Sequence, residues 1–271
     1  MYNKYNMRKN KIIIIIFISA IVVSSSIILY NQLFKARELL LKVLQSKILI
    51  VAPDENSQPQ NIQDTNTEPT TTPAAVKNNN QAQVIQSKVN LKIPFQPQAP
   101  FADWAEPYQD ACEEASIIMV DHYLRGVGLS KQEMKDEIDQ MVAWETQKWG
   151  YHKDLTVEEV KIVADQFYNY KIETIFDLTI KKIKTQLSLG RPVVVPAAGR
   201  ELGNPYYTAP GPVYHMLVVK GYDANGNFIT NDPGTRNGAD YAYNESVLMP
   251  AIHDWDGTNA TGPRIGLIMY K

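Results

Sequence analysis

One stretch limits what the rest of the chain can become. Residues 53–87, "PDENSQPQNIQDTNTEPTTTPAAVKNNNQAQVIQS", are dominated by Asn, Gln, Thr and Pro and hold no aromatic residue. Such a segment cannot bury enough apolar surface to offset the entropy of ordering it. It reads as a disordered linker over 53–88, a tether with an r.m.s. span of roughly 30–35 Å. Any core must therefore lie to one side of it. Aromatics become frequent from Phe95 onward, so the folded domain is expected at 89–271, a size one core can serve. The net charge of −2 and 44% apolar content fit a globular protein and argue against a nucleic-acid partner.

On the other side of the linker, Ile12 to Tyr30 carry no charge. As a helix these residues span roughly 28 Å, about the thickness of a hydrocarbon core. Lys4, Arg8, Lys9 and Lys11 precede the run and Lys35 and Arg37 follow it. The expectation is a transmembrane anchor at 12–30, with residues 1–11 in the cytoplasm and the folded domain outside it. A cleaved signal peptide is the rival, but Ser24-Ser25-Ser26 is a poor cleavage site. The five-isoleucine run with no polar face argues against a buried core helix. Residues 31–52, mixed apolar and basic, read as a helical or interfacial spacer.

Within the domain, "VNLKIPF" reads as a short strand and 96–108 as a loop with Pro and Trp. Ala115, Ile118, Met119 and Tyr123 recur at helical spacing, which predicts a helix from Cys112 to about Leu124. "SKQEMKDEIDQMV" and "TVEEVKIVADQFY" open with capping boxes, Ser130 with Glu133 and Thr156 with Glu159. "TIKKIKTQLSLG" predicts a further helix ending at Gly190. "RPVVVPA", "HMLVVKGY", "NFITN" and "RIGLIMY" predict strands, the middle two joined by "DANG" as a hairpin. Helices first and strands last predict an α+β fold, with N-terminal helices packed on a C-terminal antiparallel sheet.

Cys112 is the only cysteine. An extracytoplasmic chain usually uses cysteines in pairs, and one alone cannot staple its own chain, so reactivity becomes the alternative to simple core packing. At a helix N-terminus a thiol is drawn toward thiolate, while Glu113 and Glu114 push the other way if close. Of the four histidines, His122 lies about 15 Å along the helix from Cys112. His152 and His253 sit in polar stretches and are expected at the surface. His215 opens a strand after the loop "APGPVY", where a side chain can face a cleft. A turn about Ala224 and Asn225 would bring Asp232, in "NDPGT", opposite His215 or one diagonal step away. There a carboxylate can hold the imidazole tautomer. Oxyanion donors would be the Cys112 backbone N–H and a side-chain amide, with Gln98 and Gln109 both open as candidates. "DANGN" and "DWDGTN" read as tight turns rather than calcium loops, and the lone Cys and scattered His make no zinc pattern. No cofactor or metal is expected. The aromatics of "YYTAP" and Trp144 and Trp149 are candidates either for cleft lining or for packing.

Cys, then His, then Asp, the Cys opening a helix and the His a strand, resembles the papain-like fold. More narrowly, "IPFQPQAPFADWAEPYQDACEEASIIM", "GRPVVVPA" and "HMLVVKGYDANGNFITNDPG" resemble cysteine-peptidase family 39, the bacteriocin-processing (double-glycine-leader) peptidase-like group. The resemblance covers about 89–271. It implies Cys112 as nucleophile, His215 as general base, Asp232 as orienting acid and Gln98 as oxyanion glutamine, acting on a peptide or protein substrate. Two departures stand out. The chain has no phosphate-binding G-x-x-x-x-G-K-[ST] motif of the transporter-fused members, and Glu113 follows the Cys where Gly is common. The expected function is a membrane-anchored, extracytoplasmic thiol peptidase. A thiol amidase or acyltransferase with the same triad, and a silent peptide-binding module, are the alternatives.

Overall fold

Residues 86–271 are the ones described by the computed structural model of the protein. The anchor expected at 12–30, the spacer at 31–52 and nearly all of the linker at 53–88 lie outside them. No helix among the described residues is long and apolar enough to cross a membrane.

A run that is apolar at every position suits a strand covered on both faces. Two such runs form the centre: β3 (Val193–Ala198) and β4 (Tyr214–Tyr222), every residue of both buried. Around them stand β1 (Val89–Asn90), β2 (Lys171–Ile175), β5 (Asn227–Asn231), β6 (Tyr241–Asn244) and β7 (Gly266–Tyr270). The sheet runs β2-β7-β3-β4-β5-β6, and every pairing is antiparallel. β1 pairs with the end of β4 beyond the reach of β3, through Val89↔Tyr222 and Asn90↔Gly221. A side chain at Gly221 would meet the Val89 carbonyl oxygen at 2.3 Å, so glycine is what lets β1 approach.

Alternate strand residues point to opposite faces, and each face is covered by helices. Val194, Met216, Val218 and Leu267 pack with α1 (Cys112–Arg125), α2 (Lys131–Trp149) and α3 (Val157–Phe167). Val193, Val195, Leu217 and Val219 pack with α4 (Ile180–Ser188) and α5 (Glu245–Ala251). The α+β class and the antiparallel sheet are as expected. The strict order of helices then strands is not: among the described residues β1 precedes every helix, β2 separates α3 from α4, and α5 falls late. "VNLKIPF" supplies only the two paired residues of β1: Leu91 still donates to the Lys220 carbonyl at 2.9 Å, but the Ile93 N–H turns back to the Leu91 carbonyl at 3.0 Å.

Both capping boxes are present, at Ser130 with Glu133 and at Thr156 with Glu159. α2 continues past the expected "SKQEMKDEIDQMV" to Trp149, where Gly150 at φ 83° ends it. The extension packs Trp144 edge-on against Trp149 and Phe167, at 5.4 and 6.0 Å between ring centroids.

The β4–β5 connection differs from the two-residue turn expected about Ala224 and Asn225. Tyr222 pairs with Phe228, and Gly226 adopts φ 79° in a loop stabilised by the Asp223 carboxylate. This adds one residue to the turn. A bulge between Val219 and Gly221 then offsets it, restoring the Val219↔Thr230 and Val218↔Asn231 register. The net effect carries the residues after Asn231 alongside the start of β4.

α1 is buried from Cys112 to His122, including Glu114 on the side of α2. Glu114 meets the buried Glu145 of α2, and no other described group hydrogen-bonds either carboxyl. Two carboxylates cannot share such a site unless one holds a proton. Burial and mutual repulsion push Glu114 well above the carboxylate range, and burial pushes Glu145 up to about 7. Acids whose folded pKa is raised stabilise fully below their unfolded value and lose that contribution as pH rises through the folded one. The unfolding midpoint should therefore fall between pH 5 and pH 8. Glu145→Gln should flatten that slope and raise the midpoint at pH 8 by about 2–4 °C per kcal/mol of repulsion removed. Thermal scans of both proteins across that range check this, and identical slopes would contradict it.

Candidate active site

Cys112 opens α1, and no side chain caps that helix end. One turn later, the Ser116 hydroxyl donates to the Met216 carbonyl at 3.3 Å, pinning the buried helix to β4. Cys112 thereby lies beside the start of β4. His215 is the residue before Met216, so thiol and imidazole line one cleft of about 190 Å³. Gln98, Trp104, Asp154 and Tyr207 contribute to its walls.

His215 is held from the far side. Its Nε2 lies 2.8 Å from Asp232 Oδ1. The Asp232 carboxylate also accepts from Tyr207 OH and Tyr243 OH at 2.6 Å each, Asn204 Nδ2 at 3.1 Å and the Gly234 N–H at 3.0 Å. Burial alone would raise the pKa of Asp232. The His215 charge and these hydrogen bonds outweigh it and hold the carboxyl below its usual value. An ionised carboxylate only accepts, so Nε2 carries a proton and Nδ1 is left as the basic nitrogen. The Tyr207 ring stands edge-on to the imidazole at 5.5 Å.

Gln98 also reaches the cleft. Its backbone N–H donates to the Pro233 carbonyl at 3.0 Å, tying its loop to the Asp232 turn. Its side-chain Nε2 donates to the Tyr108 and Gln109 carbonyls at 3.0 and 2.9 Å. Both amide hydrogens thus brace the segment entering α1, rather than standing free for an oxyanion. Gln109 lines the cleft too, with its amide on Glu106 at 2.8 Å.

The two glutamates after Cys112 are buried, not surface groups of a first turn. The Cys112 thiol donates to Glu113 Oε2 at 3.0 Å, and the Leu155 N–H donates to Glu113 Oε1 at 3.0 Å. Burial, then the Glu113 charge and hydrogen bond, push the Cys112 thiol well up, opposite to the pull of the helix end. Burial also lifts Glu113 to about 8.

The other histidines lie elsewhere. His152 and His253 are half-buried rather than exposed, with His253 Nδ1 on the Gly262 carbonyl at 2.8 Å. His122, Asp121 and Glu137 cluster within metal-ligating reach. Both His122 nitrogens are engaged there, with Gly128 O and Glu137, and Arg125 supplies a cation at 2.7 Å from Asp121. The cluster meets its own charge without an ion.

The residue pattern does not single out Asn204 or Tyr243. Tyr207 carries a partial signal in "YYTAP". Tyr243 carries none, because β6 lies outside the strands the pattern predicts. Trp144 and Trp149 pack in the helical layer, away from the cleft lining.

A family model described as the Peptidase_C39 like family matches residues 90–261. No curated protein matches the chain. Among solved structures, a C39-like peptidase from Bacillus anthracis aligns at 17% identity over 69% of this chain and 98% of its own, with a TM-score of 0.46. Xylellain, a cysteine protease from Xylella fastidiosa, aligns at 15% identity over 69% of this chain and 87% of its own, with a TM-score of 0.38.

A side chain at Gly234 would meet His215 Cε1 at 2.8 Å and Nε2 at 3.1 Å. Gly234→Ala should therefore push the imidazole off Asp232 while leaving the fold intact. Turnover is expected to fall about 10²-fold with little change in unfolding midpoint. Unchanged turnover would place His215 elsewhere in the working protein.

Proposed function

We propose a function for this cleft from one premise: the chain belongs to the Peptidase_C39-like family and is a cysteine peptidase. In this reading Cys112, His215 and Asp232 form a catalytic triad that cleaves peptide bonds in a peptide or protein substrate. The observation that carries it is the shared cleft of thiol and imidazole, with His215 Nε2 fixed on a buried, multiply bonded Asp232.

His215 Nδ1 takes the Sγ proton, and Sγ attacks the substrate carbonyl carbon. The tetrahedral oxyanion is met by the Cys112 backbone N–H and by Gln98, which releases the Tyr108 or Gln109 carbonyl to donate to it. The imidazolium then protonates the leaving amine, the C–N bond breaks, and a thioester remains on Cys112. Water, losing a proton to His215, attacks that thioester and frees the acid. Asp232 stays ionised throughout and steadies the imidazolium.

The apolar run at 12–30 supports a membrane anchor, with 1–11 cytoplasmic and the domain at 89–271 displayed outside on the 53–88 tether. Protease accessibility of the domain in intact cells and in lysed cells tests this placement.

For the chemistry, Cys112→Ala should abolish cleavage across a peptide panel while the domain still folds. His215→Ala and Asp232→Asn should each reduce it by about 10²–10⁴-fold. Cleavage retained by Cys112→Ala would end this mechanism.

A further inference from the structure

The triad leaves one group at the nucleophile unused. Glu113 is 1% exposed, receives the Cys112 thiol on Oε2 and is anchored by the Leu155 N–H on Oε1. Leu155 is itself fixed, since its carbonyl accepts from Tyr214 OH at 2.9 Å and Tyr214 also bonds Asp254. The carboxyl therefore cannot swing to solvent without breaking a backbone bond. Its distance to Sγ is a property of the fold.

We propose that Glu113 is a second proton acceptor at Cys112, in competition with His215, so that the thiolate forms readily only while Glu113 itself holds a proton. This rests on the triad reading above. An ionised Glu113 keeps the Sγ–H proton in its own hydrogen bond and repels a negative sulfur. A protonated Glu113 reverses the bond: its O–H donates to Sγ⁻ as the Sγ–H proton passes to His215 Nδ1. One S–H bond breaks, one N–H bond forms, and the Glu113 proton stays where it was. No further reactant is needed.

The charged and titratable surroundings favour the protonated carboxyl. On α1 it is flanked by Cys112 and Glu114, with Glu145 of α2 behind Glu114. Asp154, before α3, and Asp110, before α1, add negative charge from the cleft side. β4 presents Tyr214 and His215, and Asp254 stands beyond Tyr214. The basic groups nearby are His215 and Lys153, and both are already paired, His215 with Asp232 and Lys153 with Glu106 and Asp110. Burial sets Glu113 near 8, inside the range in which an enzyme works.

The test is the pH dependence of Cys112 alkylation by iodoacetamide in the full chain, comparing wild type with Glu113→Gln, Glu113→Asp and His215→Ala. Gln keeps an acceptor for the Leu155 N–H and turns a permanent donor toward Sγ. Glu113→Gln should move the thiolate midpoint down by one pH unit or more, with the unfolding midpoint near wild type. Glu113→Asp, a shorter carboxyl, should not reproduce that shift. A Glu113→Gln midpoint within 0.2 units of wild type, while His215→Ala shifts it, would overturn the role of Glu113 and leave the triad standing. No change in His215→Ala would overturn the triad reading itself.

Discussion

Everything at the cleft depends on how α1 is buried against β4. A helix whose first eleven residues are shielded has few ways to move, and the Ser116–Met216 bond selects one of them. Cys112 lies one turn before Ser116 and His215 one residue before Met216, so a single hydrogen bond sets both in relation. β4 is in turn held on both edges, by β3 and β1 on one and β5 on the other. The Cys112 helix and the His215 strand are thus parts of one core, and pre-organisation of the proposed triad follows from ordinary packing.

The carboxyls nearby show two opposite solutions to burial. Asp232 is fully buried and stays ionised because four donors and an imidazole surround it. Glu113, Glu114 and Glu145 are also buried but find few donors, and their pKa values rise instead. The same physical cost is met by solvation from the protein in one place and by proton retention in the other. That contrast separates a carboxylate suited to orient a base from carboxyls suited to hold protons beside a thiol.

Much of this was legible from residue pattern alone. Helical periodicity after Cys112, the two capping boxes and the unbroken apolar strands are local signals, and each reappears in the fold. A two-residue turn predicts Asp232 near His215. The loop is one residue longer, but the bulge at Lys220 cancels the error, so the pairing survives for a reason the pattern did not contain. What stayed hidden depends on distant contacts. Tyr243 reaches Asp232 only because β6 joins the sheet edge. Glu145 matters only because α2 runs a further turn and more past its expected end. The engagement of the Gln98 amide is likewise a consequence of how its loop folds against Tyr108 and Gln109.

The central claim is that Cys112 and His215 share a proton across the cleft. The direct measurement is the titration of the His215 imidazole by NMR in the wild-type chain and in Cys112→Ala. If thiolate and imidazolium stabilise each other, losing the sulfur should lower the pH at which His215 gives up its proton by at least about one unit. Superimposable titration curves would mean that the two side chains line the same cleft without acting on one another.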